Sequence, residues 1–232
     1  MAKQQFGIST GLYLGRRLQR EHLLEIASHG FEAVEVVAAA GHVDCTNPAV
    51  VADLQQWLAE ARLELHTIAV PAGFDEGAAE AALHVARRIP VNVLALHVGA
   101  PKDAAKIVER LAPAAEPLNV AIAIDSRSES MKPIGSLAHF VERGVDADIG
   151  VALDCESAHK AGDLVDAIEM VSEHLVAVRV PVESGIDWTT ALTTLRKVGY
   201  EGPLIFDGTW RGAPADQLRR ARASRQKLAK WL

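Results

Sequence analysis

Two kinds of hydrophobic stretch alternate along this chain. Short, nearly continuous apolar runs lie at Phe6–Thr10, Ala33–Val37, Leu63–Val70, Val91–Gly99, Asn119–Asp125, Ile149–Asp154, Leu175–Val182 and Pro203–Asp207. Between them the apolar residues recur at helical spacing, in Arg20–His29, Val50–Ala61, Glu76–Arg88, Ala104–Ala115, Ile134–Arg143, Leu164–Glu173, Thr189–Val198 and Pro214–Leu232. In the first of these, Leu23, Leu24, Ile26 and Ala27 gather on one face while Arg20, Glu21 and Glu25 point away. Pro48 and Pro214 stand at helix starts, where a missing N–H costs nothing. Gly30, Gly144 and Gly199 follow helical runs, where a left-handed residue is wanted.

Runs that are apolar throughout, rather than alternating, belong to strands buried on both faces, and strand–helix–strand repetition makes such a sheet parallel. Successive runs begin about 28 residues apart on average, close to one strand-plus-helix unit. Eight such units without a linker predict an α/β fold, a single (β/α)8 barrel over residues 1–232 with short loops. The competing doubly wound open sheet carries a glycine-rich phosphate turn after its first strand. Ser9-Thr10-Gly11-Leu12-Tyr13 is not that turn.

Composition narrows the classes. The chain is 49% hydrophobic and 23% charged, which is ordinary for a globular domain and excludes disorder. A net charge of −6 offers no general attraction to nucleic acid. Cys45 and Cys155 are too few for a disulfide framework, so a reducing cytoplasm is expected, with Cys155 as a small buried hydrophobe. No run approaches the roughly 18 apolar residues of a membrane span, and no apolar signal core opens the sequence. The basic residues of the last helix (Arg219, Arg220, Arg222, Arg225, Lys227 and Lys230) read as a solvated outer face, with a phosphate or subunit contact as the alternative.

In a barrel the chemistry sits where strands end and βα loops begin. The polar residues there are Thr10, Glu35, His97, Asp125, Asp154, Arg179 and Asp207, followed in the loops by Ser126, Arg127, Glu156, His159, Glu183, Thr209 and Trp210. Three of the last four strands finish in aspartate, and the fourth carries Arg179. A carboxylate at the end of a buried strand is costly to desolvate, so each needs a partner or a task. His66, in mid-strand, reads as packing, and the histidines at 22, 29, 42, 84, 139 and 174 read as surface residues.

FGIST near the start, GFEAVEVV, LALHVG, GVALD followed by AGD, and above all GIDWTTALTTLRKVGYEGPLIFD over Gly185–Asp207 resemble the xylose isomerase-like barrels. That family includes sugar isomerases and epimerases, inosose dehydratases and apurinic endonucleases. The resemblance implies a divalent metal held by Glu, Asp, His and Glu on the last four strands, with the glutamates also moving protons. Those positions fall here on Asp125, Asp154, Arg179 and Asp207. Asp154 is the family residue; Asp125 and Asp207 are shorter than glutamate by one methylene, about 1.5 Å.

Arginine has no lone pair to give a metal and stays protonated. The resemblance therefore admits two readings. In the first, Arg179 takes the metal's electrostatic place and pairs with Asp125, Asp154 or Asp207, with no cofactor. In the second, Asp125, Asp154 and Asp207 retain Mg²⁺ or Mn²⁺. The strand-three histidine of the family falls on Ala69, and the ligand-contacting histidine on Ser157, with His159 two residues further on. Glu35 and His97 match the family.

The function implied is isomerisation or epimerisation of a small sugar, keto-sugar or polyol derivative through an enediolate. Asp125 and Asp207 would be the acid/base pair and Arg179 the oxyanion holder. Glu35, His97, Ser157, His159 and Trp210 would contact the substrate. The alternative is a barrel that has lost catalysis and binds a sugar-like ligand or serves as a regulatory or interaction subunit. Apurinic endonuclease activity is set aside, because the histidine-rich zinc set it implies is absent from the sequence. The resemblance also admits a homodimer.

Overall fold

Eight parallel strands close on themselves in sequence order: β1 (Phe6–Ser9), β2 (Ala33–Val37), β3 (Glu64–Val70), β4 (Val93–Leu96), β5 (Ala121–Asp125), β6 (Gly150–Asp154), β7 (Leu175–Val180) and β8 (Leu204–Phe206). In the computed structural model, which describes residues 4–74, 76–129, 133–143, 147, 149–208 and 210–231, β8 pairs back onto β1 through Phe6–Leu204 and Ile8–Phe206. The (β/α)8 barrel expected from the repeat is therefore what forms. Gly144 and Thr209 lie outside the described residues.

The helices are α1 (Arg20–Ser28), α2 (Pro48–Ala61), α3 (Glu76–His84), α4 (Pro101–Ala115), α5 (Ile134–Arg143), α6 (Cys155–Ala161), α7 (Leu164–Met170), α8 (Trp188–Lys197) and α9 (Pro214–Leu228). Their starts reflect local chemistry. Asn47, Asp163 and Asp187 each accept a backbone N–H from the first turn of α2, α7 and α8. Pro48, Pro101 and Pro214 open α2, α4 and α9. Gly30 and Gly199 take positive φ after α1 and α8, as a helix-ending residue requires. Among the described residues no helix is long and apolar enough to cross a membrane.

The sequence pattern missed α6. It is short, and its N-cap is Asp154, the last residue of β6, so strand passes into helix with no loop to announce it. His42, read as a surface residue, is instead 2% exposed: its ring meets Arg16 O at 2.8 Å and Thr10 Oγ1 at 3.0 Å, tying the loops after β1 and β2 together.

Outward strand residues join the helices in one large apolar core. The inside of the barrel is different. Ala95, Ala123, Ala152 and Ala177 cluster there with Val93, where barrels ordinarily carry bulky branched residues. Each alanine stands two residues before a polar position at the mouth: His97, Asp125, Asp154 and Arg179. Small side chains in this layer leave barrel volume to long polar ones, and Arg179 is among the largest fully buried side chains of the molecule. Two irregularities set the register. The pairing shifts between Val34 and Glu35 opposite β3, leaving His66 as the extra residue, and between Val151 and Ala152 opposite β7, leaving Val176 as the extra residue. A bulge of this kind re-aims the side chains beyond it. Here it puts Thr67 level with Glu35 and Arg179 level with Asp154.

Candidate functional site

Glu35, Asp125, Asp154, Arg179 and Asp207 are all buried: Asp125 and Asp154 end β5 and β6, Asp207 follows β8, Arg179 is the last but one residue of β7, and Glu35 is the middle residue of β2. The parallel strands bring the first four to the same rim, and the side chain of Arg179 reaches Glu35 there. Arg179, 1% exposed, projects from β7 across to Glu35 on β2: its Nε donates to Glu35 Oε2 at 2.7 Å, and Nη2 lies 2.7 Å from that same oxygen. Its Nη1 is 3.1 Å from Asp125 Oδ2, and its Nε is 3.8 Å from Asp207 Oδ2. The sequence places Arg179 against the aspartates; its tightest partner is Glu35.

Arg127, from the loop after β5, closes the cluster from above. The loop turns back tightly, since Arg127 N donates to Asp125 Oδ1 at 2.8 Å. The guanidinium then reaches Asp125 through Nε at 3.1 Å to both oxygens and Nη2 at 2.7 Å, while Nη1 donates to Asp207 Oδ2 at 2.8 Å. Its side chain is 32% exposed against 1% for Arg179, so it is the outer of the two cations. Sequence reasoning puts Arg127 in a mouth loop without giving it a role. The signal available was Asp-Ser-Arg directly after an apolar strand, with the cation two residues beyond the carboxylate.

Asp154 is engaged differently. Its Oδ1 accepts the Ser157 backbone N–H at 2.7 Å as the cap of α6, and its own N–H is received by Ser126 Oγ at 2.8 Å. Among the described residues it makes no ion pair, so the expected Arg179–Asp154 pairing does not form. Ser157 serves this cap through its backbone. His159 stands exposed on α6, away from the buried cluster. His97 is half-buried just beyond β4. Trp210 packs where Gly11 lacks a side chain: a Cβ there would lie 3.4 Å from Trp210 Nε1. That Nε1 is buried without a hydrogen-bond partner. Glu156, Glu183 and Arg220 line a cavity of about 200 Å³ with Trp210 beside the mouth.

The charges act on one another. Burial alone would raise the Asp125 carboxyl, but the guanidiniums of Arg179 and Arg127 outweigh it and hold Asp125 well below the usual carboxylate range. Burial opposes the charged form of Arg179, and Asp125 and Glu35 more than restore it. Glu35 is pushed upward by burial, against a partial pull from Arg179 and with Asp207 and Asp125 adding to the rise. Asp154 is likewise raised by burial, offset in part by the Ser157 N–H. Burial lowers His97.

The Arg179–Glu35 pair is one-sided. A guanidinium and a carboxylate ordinarily meet as a fork, two N–H groups on two oxygens. Here Nε and Nη2 converge on Oε2, so Glu35 Oε1 is buried without a partner, and neither Nη1 nor Nη2 of Arg179 makes a directed hydrogen bond. Such capacity is unusual in a folded interior. It leaves a donor pair and an acceptor side by side at the centre of the mouth.

A closed parallel eight-stranded barrel with its ionisable groups gathered at the C-terminal rim has the layout of the (β/α)8 enzymes. The sequence profile of the xylose isomerase-like TIM barrel family matches residues 23–231, and the chain belongs to that family. No curated protein is matched by sequence. Among solved structures, D-psicose 3-epimerase from Clostridium cellulolyticum H10 is 16% identical with a TM-score of 0.78, covering 97% of this chain and 98% of that one. The E. coli 3-keto-D-glucoside 4-epimerase YcjR is 13% identical with a TM-score of 0.77, covering 98% and 100%. A xylose isomerase-like TIM barrel protein from Mycobacterium smegmatis in complex with magnesium is 11% identical with a TM-score of 0.79, covering 99% and 98%.

The divalent metal that the family resemblance implies does not fit these residues. Both oxygens of Asp125 receive Arg127, Asp207 Oδ2 receives it too, and Asp154 Oδ1 caps a helix. Two permanently charged guanidiniums lie where a dication would go. Among the described residues, no group of three or more His, Cys, Asp or Glu is arranged to hold a metal ion. Asp125, Asp154 and Asp207 thus share a rim without forming a donor set for Mg²⁺ or Mn²⁺.

Proposed function

We propose that this barrel is a sugar or keto-sugar isomerase or epimerase in which arginine supplies the positive charge at the reacting carbonyl. The observation that carries the reading is the one-sided Arg179–Glu35 pair, with two guanidinium nitrogens and one carboxylate oxygen unsatisfied at the mouth. A carbonyl oxygen and its neighbouring hydroxyl satisfy that set, the first accepting from Arg179 and the second donating to Glu35 Oε1. Membership in the xylose isomerase-like family, and the epimerases among proteins of the same fold, support this substrate class.

Chemistry begins when Arg127, the outer cation, moves off Asp207. The freed carboxylate removes the proton from the carbon beside the carbonyl, and the electron pair passes to oxygen, giving an enediolate held by the Arg179 N–H groups. Glu35 Oε1, whose proton affinity is raised by burial, takes the proton of the hydroxyl that it holds and delivers it to carbon. Asp207 then gives its proton to the oxygen left unprotonated, so the proton count closes. Asp125 is the anchor of both arginines rather than a base, because a carboxylate held so far below its usual range accepts protons poorly. His97 and Trp210 border the substrate, and Ser157 and His159 lie further out.

The test is solvent exchange. Enzyme treated with a chelator and incubated in D₂O with a panel of ketoses is expected to place deuterium on the carbon next to the carbonyl of at least one, read by NMR. Glu35→Gln, Asp207→Asn and Arg179→Met should each abolish that wash-in, with folding checked by circular dichroism. Absence of exchange across the panel, alongside saturable binding of a ketose, would instead support a second reading in which the barrel binds sugar-like ligands without turnover. The saturation of Asp125 by two guanidiniums is the observation that favours that alternative.

A further inference from the structure

We propose that the opposite, N-terminal end of the barrel carries a binding site for a small aliphatic amine, separate from the mouth and independent of its chemistry. A cavity of about 980 Å³ opens there, at the upper end of the size of ligand pockets. Its inner wall is made of small or re-aimed residues. Ala121 and Gly150 contribute little side chain, and Val176, the bulge residue of β7, lies over Gly150 so closely that a Cβ there would stand 2.4 Å from Val176 Cγ2. The alanine layer above continues this lack of bulk. A barrel end that most chains fill with branched side chains is left hollow.

Into this space faces His66, the bulge residue of β3, with 4% of its surface exposed. Its Nδ1 is 2.9 Å from Thr67 Oγ1, while Nε2 has no hydrogen-bond partner among the described residues. Nε2 is not fully enclosed and retains access to the cavity. Burial pushes His66 down to about 4, which leaves the ring neutral at physiological pH, and with Nδ1 donating to Thr67 its Nε2 is free to accept a hydrogen bond.

The rim selects the donor. Glu116, Glu173 and Glu201 line the cavity, and among the described residues no lysine or arginine does. The ring of His174 is tied to Ile149 O at 3.2 Å. A neutral imidazole, small wall residues such as Ala121 and Gly150, and three exposed carboxylates with no lining cation among the described residues favour an alkyl ammonium over an anion. The absence of any arrangement of three His, Cys, Asp or Glu suited to a metal, among the described residues, favours an organic cation over a metal ion.

Cadaverine is the probe, with the corresponding neutral pentane diol as its control, followed by calorimetry and by ¹⁵N NMR of the histidine rings. The expected result is saturable cadaverine binding that shifts the His66 Nε2 signal and that the diol does not reproduce. The Glu173→Gln/Glu201→Gln double variant, altered only at the cavity entrance, should bind about ten-fold more weakly. Asp207→Asn, at the far end of the barrel, should bind as the wild type does, whatever becomes of the sugar chemistry. The proposal is overturned if cadaverine shows no saturable binding, if the diol binds equally well, if cadaverine binds without moving the His66 signal, or if Asp207→Asn abolishes binding.

Discussion

Arg179 shows how a single buried side chain can both stabilise a site and leave it incomplete. It is paired with Glu35 and Asp125 in an interior where neither carboxylate has much access to water. Removing one partner of a buried pair strands the other, at a cost of about 3–5 kcal/mol, whereas replacing both by apolar residues of similar volume is often neutral. Arg179→Met should therefore lower the urea unfolding free energy by about that amount, and Glu35→Met/Arg179→Met should recover much of the loss. A double variant as unstable as the single one would show that the pair is not the unit. His66 makes a second prediction at this scale. It takes up its proton near 6.5 in the unfolded chain but only near 4 in the folded one. Between those values unfolding binds a proton, so stability present at neutral pH is lost as pH falls through the window, on the order of 3 kcal/mol from this residue. Urea titrations at stepped pH should show the decline, and His66→Gln should flatten it.

At the level of elements, the strands and their order were legible because strands buried on both faces and amphipathic helices differ in period, and the repeat occurs eight times. Glu35, Asp125, Arg179 and Asp207 could be placed at one rim for the same reason. The pairing among them could not, because it depends on the reach of side chains across the barrel. Asp125, Asp154 and Asp207 look alike in sequence, each ending an apolar run, yet two hold guanidiniums and one caps a helix. His42 was unreadable for a related reason: its two partners, Arg16 and Thr10, lie 26 and 32 residues away in sequence. The element-scale prediction concerns Asp154. As the cap of α6, its replacement by alanine should cost about 1 kcal/mol, with Asp154→Asn costing less because asparagine caps nearly as well. Thermal unfolding of the two variants distinguishes this from a charge-dependent role, in which Asn would be no better than Ala.

Across the whole molecule, the barrel separates two polar ends by a layer of alanine. The mouth holds two cations and four buried carboxyls. Arg127 and Arg179 occupy the space between those carboxyls. A titration of Mn²⁺ into chelator-treated wild-type protein, followed by calorimetry, addresses this claim directly. No saturable uptake is expected at the mouth, and no change in uptake when Asp207 is replaced by asparagine. One equivalent of tightly bound Mn²⁺, lost in Asp125→Asn and Asp207→Asn, would contradict it.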